Sequence, residues 1–186
     1  MPETQDAQSY LDPATILAHL QITPGQKVGD FGVGGAAPFA FALSGAVGPE
    51  GSVVMFDILK TALSAALTLV QQRGLKNCQA VWSNLEIYNG ASGVADGSFD
   101  AGILVNVLHQ SNKHQDILAE VGRMLKPKAK LLIVEWKHDA DSTIAPDEQH
   151  RLADGYVEQM AQGLGFAALE KFEAGPYHWG MVLVKA

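Results

Sequence analysis

One segment concentrates residues that could do chemistry. In Val28-Gly-Asp-Phe-Gly-Val-Gly-Gly-Ala-Ala37, Asp30 closes a short apolar run and Gly32, Gly34 and Gly35 follow it. Glycines let a backbone approach a ligand closely, and a helix opening after them presents free N–H groups. The same pattern also serves any tight strand-to-helix connection. Asp57 sharpens it. It stands 25 residues after Gly32, at the end of the next apolar run. A carboxylate there can accept hydrogen bonds from both hydroxyls of a ribose, or it can cap the helix that follows. Ser83, Asn84 and Leu85 follow a third run. Asn84 carries a donor and an acceptor, so it can read an adenine edge or simply make a turn. Asn106 follows a fourth run. Four successive run ends thus agree on one ligand carrying an adenosine.

Acid–base groups come later. His109 lies beyond the fourth run, Glu135 and Lys137 flank Trp136 at the end of a fifth, and His178 opens the last. His109 can be a base, or it can cap a helix or meet solvent. Glu135 and Lys137 can serve an acceptor molecule, or pair with each other and with water. His178 can face a substrate or pack beside Trp179. The six histidines include no pair at the four-residue spacing of a helical zinc site, and Cys78 is the single cysteine. No metal centre and no internal disulfide are expected.

Positioning these groups takes an alternation of strands and helices. Asp12-Pro13 caps a short helix to about Leu20. Strands are expected at residues 27–31, 52–57, 79–82, 100–105 and 129–135. A buried helix fits 36–46, and Leu59, Leu63, Leu67 and Val70 mark another, stopped at Gly74. Ile117, Val121, Met124 and Leu125 line a third, which ends before Pro127. Leu152, Tyr156, Met160 and Leu164 share the apolar face of a last helix. Strands at about 167–172 and 178–185 follow, joined by a Gly175-Pro176 turn, so one of them runs against the rest. The result is α/β: a mostly parallel sheet with helices on both faces. The polar stretch 137–150 reads as a loop over the carboxyl ends of the strands. Residues 1–22 read as a helical lid segment of a single domain spanning 1–186.

The 186 residues suit one domain, and 47% hydrophobic with 18% charged is a globular balance. Thirteen Lys and Arg against twenty Asp and Glu give a net charge of −7. That is poorly suited to gripping nucleic-acid phosphates. Lys126, Lys128 and Lys130 form one basic cluster, before the fifth strand and so at the far end of the sheet from the glycines. Residues 1–8 are polar and acidic, unlike a secretory signal, and the most apolar stretch, 36–47, is short of the ~20 residues that span a bilayer. The expectation is a soluble, cytoplasmic protein that acts on a small-molecule substrate, with no nucleic-acid or membrane partner. No feature sets an oligomeric state.

Nicotinamide dinucleotides and S-adenosylmethionine both contain adenosine. A dinucleotide turn must hold a pyrophosphate, which Asp30 would repel, whereas a cationic amino-acid group suits it. Neither a Tyr-x-x-x-Lys pair nor length for a second domain is present. On these residues the chain resembles the class I S-adenosylmethionine-dependent methyltransferases, over roughly residues 10–186. Asp30-Phe-Gly-Val-Gly-Gly35 is similar to the family's first motif, Asp57 to its ribose-binding acid, and Ser98-Phe-Asp100 through Asn106 to its fourth motif. Arg123-Met-Leu-Lys-Pro127 and the closing hairpin also fit. Leu11-Asp-Pro13 with Pro24-Gly25, Gly48-Pro-Glu-Gly51 and Gly175-Pro-Tyr-His178 bring it nearest the small methyltransferases of the ubiquinone/menaquinone-biosynthesis type. Ala36 stands at a frequent third glycine, and Asn84 where an acid is common.

The resemblance implies a Rossmann-like seven-stranded sheet, mostly parallel, with an antiparallel last strand. It implies S-adenosylmethionine as cofactor, held by Asp30, Phe31, Gly32, Gly34, Gly35, Asp57, Ile58, Ser83, Asn84, Leu85 and Asn106. It further implies methyl transfer by in-line displacement to a small organic acceptor. His109, Glu135, Lys137 and His178 are then candidate acceptor-side groups around one mouth. A cofactor-binding protein without catalysis and an NAD-binding oxidoreductase remain open alternatives at this point.

Overall fold

The computed structural model describes residues 11–186, so residues 1–10 of the expected lid segment lie outside the described residues. Helices α1 (Pro13–Ala18), α2 (Pro38–Val47), α3 (Lys60–Gln72), α4 (His114–Met124) and α5 (Asp154–Gly163) alternate with seven strands. These are β1 (Lys27–Phe31), β2 (Ser52–Asp57), β3 (Cys78–Trp82), β4 (Phe99–Val105), β5 (Leu125–Trp136), β6 (Phe166–Gly175) and β7 (His178–Lys185). Asp12 caps α1 as expected, accepting the N–H groups of Ala14 and Thr15 at 3.3 Å each.

The strands form one sheet in the order β3-β2-β1-β4-β5-β7-β6. β1 to β5 pair in parallel, and β7 runs antiparallel to both β5 and β6. Strand order reverses between β1 and β4, so a crevice opens beyond their carboxyl ends, the usual ligand position of such sheets. Residues of α1, α2 and α3 share one core with Val28, Met55, Ile103 and Leu132; those of α4 and α5 share the other with Val54, Phe56, Leu104 and Ile133. Strands covered on both faces read as near-continuous apolar runs, which made them legible.

Three elements and one side chain depart from expectation. α2 begins at Pro38 because Ala37 takes a left-handed conformation (φ 49°) and proline is preorganised for the first helical position. β5 begins at Leu125, since the chain stays extended through Pro127. Its register with β4 jumps from Phe99↔Leu125 to Ala101↔Lys130 around a bulge at Lys128 (φ 66°). β6 is longer than 167–172 because its pairing with β7 runs from Phe166 to Gly175. Tyr156 points outward, its ring edge-on to His114, instead of into the core.

A buried ion pair ties the loop between β3 and β4 to α4. Glu120, fully buried, accepts the N–H groups of Asn89 (2.6 Å) and Ala91 (3.1 Å) and two bonds from Arg123, at 2.9 and 2.8 Å. Arg123 also donates to Val94 O (2.8 Å) and Asp96 (2.7 Å). Burial alone would raise the Glu120 pKa. The bonds from Arg123 and the two amides outweigh it and hold the carboxyl below its usual range. Among the described residues no helix is long and apolar enough to cross a membrane, and no cluster of His, Cys, Asp and Glu is suited to a metal ion.

Candidate active site

The glycine turn is built by the ends of β1 and β2. Phe56 O accepts both Gly32 N–H and Val33 N–H at 2.9 Å. Gly32 (φ 102°) and Gly34 (φ 64°) occupy backbone conformations that side chains disfavour. A Cβ on Gly32 would also collide with Val107 Cγ2, from the loop after β4. Asp57 then clamps the turn. Its Oδ2 accepts Gly34 N–H at 3.0 Å and its Oδ1 accepts Leu59 N–H, just before α3, at 2.8 Å. Helix-end and turn bonds leave further lone pairs on the carboxylate for a ligand.

This turn forms one end of a cleft of about 510 Å³ over the carboxyl ends of β1, β2, β3 and β4. Gly32, Gly34, Gly35, Asp57, Ile58, Ser83, Asn84, Leu85 and Asn106 line it, as does His109. Ile58 and Leu59 present half-exposed apolar side chains at its rim. Asn84 Oδ1 accepts Glu86 N–H (3.0 Å), so it does make a turn, while still facing the cleft. Past His109 the cleft continues into a shallower hollow, where Pro146 and His150 of the 137–153 loop form the far wall.

Among the described residues, the buried side-chain atoms that find no hydrogen-bond partner are Asp30 Oδ2, Ser83 Oγ, both amide atoms of Asn106, Trp136 Nε1 and both ring nitrogens of His178. Each belongs to a residue at the carboxyl edge of the sheet. Buried polar groups are nearly always paired, so a row of orphans along one edge marks where a ligand supplies the partners. Asp30 is the most telling. Burial, assisted by the negative charge of Asp57, pushes its carboxyl up to about 7. A cationic ligand group would relieve both.

Residues 22–170 match the family model of the methyltransferase domain. The chain belongs to this family. It is 32% identical over 114 residues to the ubiquinone/menaquinone biosynthesis C-methyltransferase UbiE of Shewanella oneidensis, a match covering 61% of this chain and 43% of that protein. It is 26% identical over 185 residues to the highly reducing polyketide synthase g433 of a Fusarium species, covering 87% of this chain and 7% of that protein. The chain therefore spans less than half the length of these curated relatives. Among solved structures, an S-adenosylmethionine-dependent methyltransferase from Aquifex aeolicus superposes with a TM-score of 0.86 at 23% identity, over 97% of this chain and 94% of that one. The cofactor of this methyltransferase domain is S-adenosylmethionine, and an NAD-binding oxidoreductase is set aside.

The residues present suit that cofactor. The glycine turn leaves room for close approach, and the orphaned Asp30 carboxyl lies beside the turn, in want of a cation. Other expected positions fall differently. Phe31 is fully buried on the opposite side of β1 from Asp30, stacked at 5.0 Å on Phe56 and edge-on at 5.7 Å to Phe99. It is core and does not line the cleft. Alternation along a strand forces this: neighbours of Asp30 must face away from it.

The four acceptor-side candidates divide, so the expectation of one common mouth is corrected. His109 and Glu135 meet: Glu135, almost fully buried, accepts Leu108 N–H at 2.6 Å and His109 Nδ1–H at 2.8 Å. Lys137 instead pairs with Glu173 and donates to Pro176 O (3.3 Å), in a surface hollow with Phe172 and Trp179, away from the cleft. Past the last residue of β5, strand alternation no longer orients it. His178 is fully buried against Trp136, not Trp179. The described part of the expected lid, residues 11–22, packs Leu11, Ile16, Leu17 and Leu20 into the core beside α2. The sequence reading missed Leu59, Ala62, Glu86, Val107, Gln110, Ser111 and Ile117, which also line the cleft. They meet across loops, through contacts such as Ser111 Oγ to Glu86 (2.7 Å), which no spacing rule encodes.

Proposed function

We propose that this domain transfers a methyl group from S-adenosylmethionine to a carbon atom of a small organic acceptor, by in-line displacement, with His109 as the base. The pairing of His109 with the buried Glu135 carries this reading. A carboxylate only accepts, so Glu135 fixes the proton on His109 Nδ1 and leaves Nε2 as the basic nitrogen of a ring that lines the cleft. A base whose tautomer and orientation are set by a third group is the arrangement used to remove a proton during group transfer. A carbon acceptor needs such a base, and the relative in quinone biosynthesis is named a C-methyltransferase.

The cofactor, when bound, supplies a methyl group on a positively charged sulfur that is a good leaving group. In this reading Asp57 holds the ribose, Ile58, Leu59, Ser83, Asn84 and Leu85 surround the adenine, and Asp30, the glycine turn and Asn106 receive the amino-acid end. The chain's own work is to align the acceptor and exclude water. Two of the three clustered cations are already engaged, Lys126 with Asp100 and Lys130 with Gln21, which supports a small acceptor over nucleic acid. The unpaired Cys78 fits a reducing, cytoplasmic setting.

The test pairs calorimetry with an acceptor screen. S-adenosylhomocysteine should bind and NAD should not. Enolisable carbonyl compounds should be methylated, and His109→Ala should lower that turnover by about 10²–10⁴-fold while leaving S-adenosylhomocysteine affinity within a few-fold. Full turnover in His109→Ala would remove the base from the reading. Cofactor binding without turnover of any acceptor would favour a binding protein.

A further inference from the structure

The cleft and the hollow beyond it share a wall. Glu86, His109, Gln110 and Ser111 line both, so the hollow opens directly from the ring of the proposed base. An acceptor that yields a proton to His109 Nε2 puts its reacting carbon beside that ring, and the rest of the molecule extends into the hollow. The far wall is held in place. Arg151 Nε donates to Pro146 O at 2.7 Å, and Arg151 Nη1 donates to His138 O and Ala140 O at 2.9 Å each. One guanidinium thus gathers the loop that brings Pro146 and His150 to the hollow.

The lining selects against an apolar occupant. A hydrocarbon tail would find one apolar side chain there, Pro146. The remaining side chains are polar, and those still free to bond are mainly donors. Glu86 Oε1 is engaged, accepting the Ser111 hydroxyl at 2.7 Å. Lys113 is anchored through its backbone, whose N–H donates to Ser111 Oγ at 2.9 Å. Among the described residues the nearest carboxylate to Lys113 Nζ is Glu86 Oε2, at 3.8 Å. That is beyond hydrogen-bond reach, so the three ammonium N–H groups remain available. The Asn112 amide and the His150 ring also face the hollow without a hydrogen-bond partner among the described residues. A cation with two further donors around it suits an oxyanion.

We propose that the hollow is a subsite for an anionic group of the methyl acceptor, a carboxylate held by Lys113 with Asn112 and His150 around it. The subsite rests on the methyl-transfer reading above and narrows its acceptor to a small oxo acid. The carbonyl acidifies the reacting carbon, and the carboxylate anchors the far end. In the transfer the acceptor's C–H bond breaks, its proton passes to His109 Nε2 and its electron pair forms the new C–CH₃ bond. The S–CH₃ bond breaks with its electrons left on sulfur, and S-adenosylhomocysteine departs. The carboxylate takes no part in these bonds and fixes distance and direction.

Levulinate and its methyl ester test the subsite, since they share a ketone and differ by the charge. Each is titrated into ¹⁵N-labelled protein saturated with S-adenosylhomocysteine. Levulinate should bind about three- to fivefold more tightly than the ester, the size of one half-exposed ion pair, and should shift the Asn112 and Lys113 amides. Lys113→Met should abolish that preference and leave the ester's affinity unchanged, while Lys113→Arg should keep most of it. Glu86→Gln should act the other way, raising levulinate affinity alone. A purely structural role for these two residues would move both ligands alike. The Gly34 amide reports S-adenosylhomocysteine binding in the same spectra, and absence of that response would count against the methyl-transfer reading. With that response intact, no binding of levulinate, equal affinity for the ester, or a preference that survives Lys113→Met would overturn the subsite alone.

Discussion

Two buried carboxylates answer opposite questions. Glu120 lies on α4 under the β3–β4 loop and is met by two backbone amides and the Arg123 guanidinium, which hold it ionised. Asp30 lies at the carboxyl edge of the sheet, 3% exposed, with one oxygen unpartnered and the charge of Asp57 nearby. Burial is equal, but satisfaction is not. The first carboxylate belongs to the architecture, because the folded chain supplies everything it needs. The second is incomplete without a ligand, so the fold carries a penalty there that binding can remove.

The largest effect should come from making Glu120 resemble Asp30. Arg123→Met strands a buried carboxylate, and breaking such a pair costs about 3–5 kcal/mol, measurable by urea unfolding at pH 7. A loss under about 1 kcal/mol would show that the loop, not the ion pair, carries the stability.

The converse change removes the orphan. In the folded protein the Asp30 carboxyl stays protonated up to about 7, whereas the unfolded chain releases that proton from 3.8 upward. The folded state then holds the extra proton, so stability should fall as pH rises from about 4 to 7, by on the order of 4 kcal/mol, and level off above. Asp30→Asn should flatten that decline and unfold at higher denaturant than wild type at pH 8. It should also abolish the proton release that accompanies S-adenosylhomocysteine binding at pH 6, seen by calorimetry in two buffers. An unchanged pH profile would mean that solvent already reaches this carboxyl.

Asp57 sits between the two cases, since it is partly satisfied by the Gly34 and Leu59 amides. Asp57→Ala should lower S-adenosylhomocysteine affinity about tenfold or more, as charge-assisted bonds worth roughly 1.5–3 kcal/mol each are lost. Unchanged affinity in calorimetry would leave Asp57 as a clamp on the turn only. The smallest effect belongs to Lys137. Lys137→Ala should change stability by less than about 0.5 kcal/mol and leave turnover intact, because its partners lie away from the cleft.

How much could be read from the sequence follows from the same physics. The strands announced themselves because both faces of a central parallel sheet are apolar, and Gly32, Gly34 and Asp57 because backbone and carboxylate chemistry are local. The expected start of β5 at residue 129 falls late because Met124-Leu125 continues the helical spacing up to Pro127, yet the chain is already extended from Leu125 and continues the strand through a bulge. Phe31 was drawn into the site by adjacency to the motif, although strand alternation sends it into the opposite core. The pairing of His109 with Glu135 joins residues 26 apart and depends on the parallel pairing of β4 with β5, which no local pattern states.

The contact between Gly32 and Val107 reaches beyond this one molecule. Seventy-five positions apart, they share a space that fits one hydrogen and one branched side chain. In descent they cannot drift independently. A lineage in which position 32 gains a methyl group must already have lost bulk at position 107, and even then the φ of 102° opposes the change. Residue sizes at the two positions should therefore be anticorrelated across relatives, and the order in which the two substitutions can arise is fixed.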